Sequence, residues 1–333
     1  MEKSKQSIRA AIGILPLFAS FFIPATAHSA DNGYHLLARY KLTGHGKTGN
    51  IRVDSEARRL YVAHGDRVDV LNADTGASVG ILPANGSNDI VLAPDFKHGF
   101  ISNGTAASVA MFDTATLKVV RTIKLATQNP GAMEYDPEVK RVFVAATGGV
   151  AAIDANSGEV VGSVPLEGRL GHLISNDYGR LFVAAEDHDV IHIVDTDALK
   201  FLGDFPIGTG TGPSGVALDP SGRRLFVACT NGRLPIIDTD IGFTIEDLPI
   251  GNGPTSDVFA FTPQGKGGWK GAVFVASADG TLSLIKMNAF ISYSHAGEVK
   301  LQPGIQSVAF DSKTHRVFMP ASENSAEILV VGQ

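Results

Sequence analysis

Cysteine is almost absent from this 333-residue chain. Cys229 stands alone, so no disulfide can form within one molecule, and a covalent c-type haem would lack its paired thiols. Tryptophan is equally scarce, with Trp269 the single example. There is no excess of positive charge either: the formal net charge is −6, which disfavours non-specific binding to nucleic acid or to an anionic membrane surface. The apolar stretch from Ile12 to Ile23 is short and contains Pro16, so a stable membrane span is not expected. Familiar catalytic signatures are missing too, including G-x-S-x-G, H-E-x-x-H and the P-loop. Gly208-Thr209-Gly210-Thr211-Gly212 lies between two strand patterns with no helix to bind phosphate, and reads as a flexible connection.

The apolar stretch has another reading. Lys3, Lys5 and Arg9 precede it and Ala25-Thr26-Ala27 follows it, the arrangement of an export signal. Residues 1–30 are therefore expected to be removed, with cleavage between 27 and 30, and residues 31–333 to form one domain. Export places the product in the periplasm or outside the cell. The first 30 residues hold three basic side chains against one acidic, so their removal leaves the chain more negative.

What the chain has in abundance is a repeated phrase. Leu60-Tyr61-Val62-Ala63 recurs as Phe100-Ile101-Ser102, Val142-Phe143-Val144-Ala145, Leu181-Phe182-Val183-Ala184, Leu225-Phe226-Val227-Ala228, Val273-Phe274-Val275-Ala276 and Val317-Phe318-Met319, with aromatic residues 39, 43, 39, 44, 48 and 44 positions apart. A period of 40 to 45 built from short strands marks propeller blades. The third unit divides into four strands at 131–135, 141–146, 149–153 and 159–166. The seventh stops after its third strand, Ile328 to Val331, while His35 to Leu42 has no unit of its own. The expected fold is therefore all-β: a seven-bladed β-propeller of four-stranded antiparallel blades, its ring closed by the N-terminal strand completing the last blade.

At Leu225-Phe226-Val227-Ala228, followed by Ile236-Ile237-Asp238-Thr239, the chain resembles the YVTN β-propeller repeat family, and within it the exported YncE-like members. The resemblance covers nearly all of residues 31–333. It implies a seven-bladed ring whose members bind ligands or partners more often than they have a known reaction. The sixth unit departs from it, with Ile285-Lys286-Met287 in place of the I-D-T phrase and an insertion around Trp269.

The repeats also act as an internal control, because a residue found in most units serves the unit. Asn72, Asp113, Asp154, Asp195 and Asp238 share one place after the third strand, where they are expected to cap the next turn. Functional candidates are those that break the pattern near the channel mouth. Just before the first apolar run the seven units read Asn50, Asp89, Ala132, His172, Gly215, Asp257 and Ser307. The connection after the phrase adds His64, Asn103, Glu186 and His188, and the loop into the first unit adds His45. A metal set of His172, Glu186 and His188 is conceivable, whereas His188 and His192, four residues apart on an expected strand, would stand about 13 Å apart. Trp269, in a glycine-rich hairpin, is a candidate partner anchor.

Three functions compete. The first is a non-catalytic exported binding or scaffold protein, with a small molecule or an exported protein as partner and no cofactor. The second is a lactonase- or lyase-type enzyme with His172 and Glu186 at the mouth, assisted by a divalent metal. The third is an accessory of periplasmic metal or redox metabolism.

Overall fold

A computed structural model describes residues 33–43, 46–219, 223–260, 271–289, 292–322 and 324–333. His45 and Trp269 lie outside them, as do residues 1–30. Within them the chain forms seven four-stranded antiparallel sheets. Blade 3 comprises Met133–Asp136, Arg141–Ala146, Gly149–Asp154 and Val160–Pro165, within two residues of the expected limits. The innermost strands of blades 1 to 7 are Thr48–Asp54, Ser87–Ala93, Met133–Asp136, Leu170–Ser175, Pro213–Asp219, Pro254–Ala260 and Ala309–Asp311. Each lies beside the next, and the seventh returns to the first, so the ring is closed.

Closure uses both ends of the chain, as expected. The N-terminal strand His35–Lys41 pairs with Glu327–Gly332, which pairs with Arg316–Pro320 and so with Ala309–Asp311. The seventh blade is thereby completed by its fourth strand, and two unpaired edges are removed.

The repeated phrase is the packing unit. Its seven aromatics, Tyr61, Phe100, Phe143, Phe182, Phe226, Phe274 and Phe318, are all fully buried. Among the described residues there are seven apolar clusters, one at each blade-to-blade interface, and every phrase aromatic reaches into the cluster shared with the following blade. Its neighbours face the other way: Leu60 and Val62 pack back against blade 7, because successive strand side chains point to opposite faces. Both faces of each sheet are covered, which is why the strand cores do not alternate polar with apolar.

Polar contacts repeat with the same period. Asn72, Asp113, Asp154, Asp195 and Asp238 each accept backbone N–H bonds from the turn that follows, at distances such as 2.7 Å from Thr116 and 2.7 Å from Ser157. They are caps, as their recurrence implied. A second series joins blades: Arg59, His98, Arg141 and Arg180 each bond a backbone carbonyl of the next blade, those of Thr114, Ala155, Thr196 and Thr239.

The outermost strands share a third feature. In every blade the pairing of the third and fourth strands skips one residue, at Val79, Val120, Val161, Leu202, Ile245, Ala296 and Leu37. All but Ala296 are exposed apolar side chains. A bulge there twists the free edge and hinders the docking of another strand.

Candidate functional site

The innermost strands run along the channel, so residues at the same level of successive blades meet around it. Asn50, Asp89, Ala132, His172 and Ser307 line a cavity of about 290 Å³. They occupy five of the seven positions singled out in the sequence. Gly215 is absent from the lining, and Asp257 holds the equivalent place in blade 6, opposite Val275, with its side chain outside the described residues.

Two residues that the sequence reading missed complete the wall. Arg52 and Glu134 lie two positions beyond Asn50 and Ala132, hence one level deeper, about 7 Å along the strand. Both line the cavity. Both also line a second cavity of about 550 Å³, formed with Asp54, Ser55, Glu56, Pro94 and Lys97 from the first hairpin turns. Arg52 and Glu134 thus sit where the inner chamber meets the face opposite the expected mouth. The signal was available: the same position in the other units reads Val91, Ile174, Ala217, Phe259 and Ala309, so two charges interrupt an apolar register.

The electrostatics follow from enclosure. Glu134 is pushed up to about 7, first because burial penalises its charge. Arg52 opposes that rise, Asp177 and Asp89 add to it, and the Ser175 amide opposes it. The His172 imidazole is held below its ordinary value, again mainly by loss of solvent, with Arg52 acting in the same direction against the pull of Asp89 and Glu186. Asp89 is a clasp as well as a charge. Its two oxygens accept N–H bonds from Ile90 at 2.8 Å and from Met133 of the next blade at 2.7 Å.

By contrast, the polar groups facing the cavity are under-used. Arg52 donates Nε to the Ile90 carbonyl at 3.1 Å, which leaves both terminal nitrogens of its guanidinium. Among the described residues the side chains of Asn50 and His172 have no hydrogen-bond partner. Partly buried polar groups without partners are costly unless a solute or water completes them.

The other candidates are not gathered here. His64 is buried inside blade 1, its Nδ1 2.7 Å from Asp69 Oδ2. Asn103 is buried at the end of the strand His98–Asn103 and accepts the Asn85 N–H at 3.1 Å. Glu186 is held by Arg169, and His188 lies in the turn after Arg180–Ala185. Among the described residues no three His, Cys, Asp or Glu come together as a metal set, so His172, Glu186 and His188 are not assembled as one. The expected 13 Å between His188 and His192 is also corrected: the ring centroids are 6.4 Å apart. Only His192 is on the strand Val190–Asp195, and the turn folds His188 back over it. His192 is nonetheless engaged, by Asp204 at 2.6 Å and the Glu167 carbonyl at 3.0 Å.

The glycine-rich connection 208–212 is likewise not loose. Gly212 donates to Asp189 at 2.7 Å, and Asn231 brackets Thr209 and Thr211.

No family model matches the sequence, and no curated protein matches it. Solved structures do. One, described as the structure of U3-55K, superposes with a TM-score of 0.76 at 10% identity, covering 89% of this chain and 98% of that one. The chain is a seven-bladed β-propeller. Identity this low extends to architecture alone, and what the propeller does must be argued from its own channel.

Proposed function

We propose that this propeller is an exported binding protein of the YVTN type that holds a small polar ligand inside its channel. The observation that carries the reading is the 290 Å³ chamber ringed by Arg52, Glu134, His172 and Asn50, polar groups that converge from blades 1, 3 and 4, with Asn50 and His172 without partners among the described residues. That volume is near the lower end of small-molecule sites, which suits a metabolite better than a polymer. Export rests on the first 30 residues, and the family on the repeated phrase.

Binding should be lost in His172→Ala and Asn50→Ala while the melting temperature is retained. Calorimetry against small polar metabolites measures the first and thermal unfolding the second. Ligand binding that is indifferent to both substitutions would place the site elsewhere.

One observation favours an enzyme as the second reading. Glu134, which titrates near neutrality, shares a chamber with a neutral imidazole, an arrangement suited to acid–base chemistry on a bound ester or lactone. Here Glu134 takes the part first assigned to Glu186, which is occupied by Arg169. Turnover of a lactone panel, abolished by Glu134→Gln, would decide for it.

A further inference from the structure

The two charged residues at the deeper level narrow the ligand class. We propose that the channel binds a small carboxylic acid as its anion, pairing the carboxylate with Arg52 and taking up a proton on Glu134. This deepens the binding reading above and rests on it.

Geometry supplies the first half. Arg52 anchors one nitrogen on the Ile90 carbonyl, which fixes the guanidinium and presents the remaining N–H groups to the chamber. A planar fork held in this way suits a carboxylate better than a neutral group. Among the described residues, Arg52 is also the single Arg or Lys in the lining of the inner chamber.

Charge balance supplies the second. The groups bearing on Glu134 are Arg52 from blade 1, Asp89 from blade 2, Asp177 and the Ser175 amide from blade 4; His172 shares the innermost strand of blade 4. With both carboxylates ionised, Arg52 is already outnumbered by Asp89 and Glu134. Adding an anion to that enclosure is unfavourable unless one negative charge is removed. Asp89 is already committed, because both of its oxygens accept backbone N–H bonds. Glu134 is the group that yields, since it already titrates near 7. Once protonated it repels no anion and gains a donor O–H. Neutral amides need no such protonation.

The test uses the full exported chain and a panel of small carboxylic acids, each beside its primary amide, followed by calorimetry in buffers of different ionisation enthalpy. Acids should bind and amides should not. Affinity for an acid should be level between about pH 5.5 and 6.5, where the ligand is ionised, and weaken up to about tenfold per pH unit above 7. Binding near pH 7.5 should take up more than half a proton. Glu134→Gln should retain binding with a flat pH profile and no uptake, and Arg52→Met should lose at least tenfold, with Arg52→Lys in between. Thermal unfolding of each variant reports whether it is folded.

Amides binding as well as acids, through Asn50 and His172, would overturn the acid proposal and leave the channel-binding reading standing. Acid binding with unaltered proton uptake in Glu134→Gln would overturn the role of Glu134. No binding of either series would remove both the proposal and the reading beneath it.

Discussion

Tyr40 donates its hydroxyl to the backbone carbonyl of Ala73, 3.2 Å away and 33 residues later, and to that of Asp74 at 2.8 Å. Ala73 holds the place in blade 1 that Thr114, Ala155, Thr196 and Thr239 hold in blades 2 to 5. The series of side chains bonding a carbonyl of the next blade is therefore taken up, at the seam between blades 7 and 1, by a residue of the N-terminal strand. Tyr40 also lies against Phe318, with ring centroids 6.3 Å apart.

Tyr40→Phe should keep the ring packing and lose the two carbonyl contacts, lowering stability by about 1 kcal/mol. Tyr40→Ala should cost about 3 to 5 kcal/mol. Gly76→Ala tests the same seam from the other side. Gly76 has φ +72°, and a Cβ there would fall 2.4 Å from the Tyr40 ring. Chemical denaturation should rank it beyond Tyr40→Phe, and a neutral Gly76→Ala would count against a tight seam. Deleting residues 31–43 should cost stability out of proportion to their number, seen as a large fall in melting temperature.

The seam is also pH-sensitive on the acid side. Arg58 bonds Asp311 of blade 7 at 2.7 and 2.9 Å and Asp74 at 2.6 and 3.0 Å. Burial pushes the Asp311 carboxyl up, yet bonds from Arg58, Thr314, Ser55 and the Lys313 amide outweigh it and hold the group well below the usual range. A carboxyl depressed in the folded state contributes stability above its unfolded pKa and loses it as pH falls towards the folded value. Unfolding followed by circular dichroism should show this loss below about pH 4. Asp311→Ala should remove about 3 kcal/mol near neutrality, because it leaves Arg58 short of a partner.

Glu134 works in the opposite direction. Its folded pKa, about 7, exceeds that of an unfolded glutamate, so the folded chain binds the extra proton. Stability is then full below about pH 4 and declines as pH rises to about 7. Glu134→Gln should match the wild type near pH 4 and be more stable by about 1 to 3 kcal/mol at pH 8. Equal stability at both pH values would show that Glu134 carries no such penalty.

The edge bulges make a prediction about association. Deleting Leu202 removes the extra residue from Lys200–Pro206, straightening an edge strand that carries exposed Phe201. Light scattering should detect more self-association than for Leu202→Ala, which keeps the bulge. Equal behaviour of the two would assign protection to something other than the bulge.

The sequence by itself determined the number of blades, the strand limits of the third, the closure by the N-terminal strand and the capping role of the recurrent aspartates. These properties are local and repeated, so seven copies of one pattern make each reading robust against noise in any single unit. It also identified Asn50, Asp89, His172 and Ser307 as channel residues, since they break the repeat at a position whose level in the ring is fixed by strand periodicity. Tertiary structure alone decided which side chains share a chamber. Arg52 and Glu134 come from blades 82 positions apart in the chain, and only the closed ring brings them together. Contacts inside single blades bury His64 beside Asp69, tie Glu186 to Arg169 and fold His188 over His192. Whether a polar residue is spent on a neighbour or left facing the channel depends on what lies within about 3 Å of it, and spacing along the chain does not carry that information.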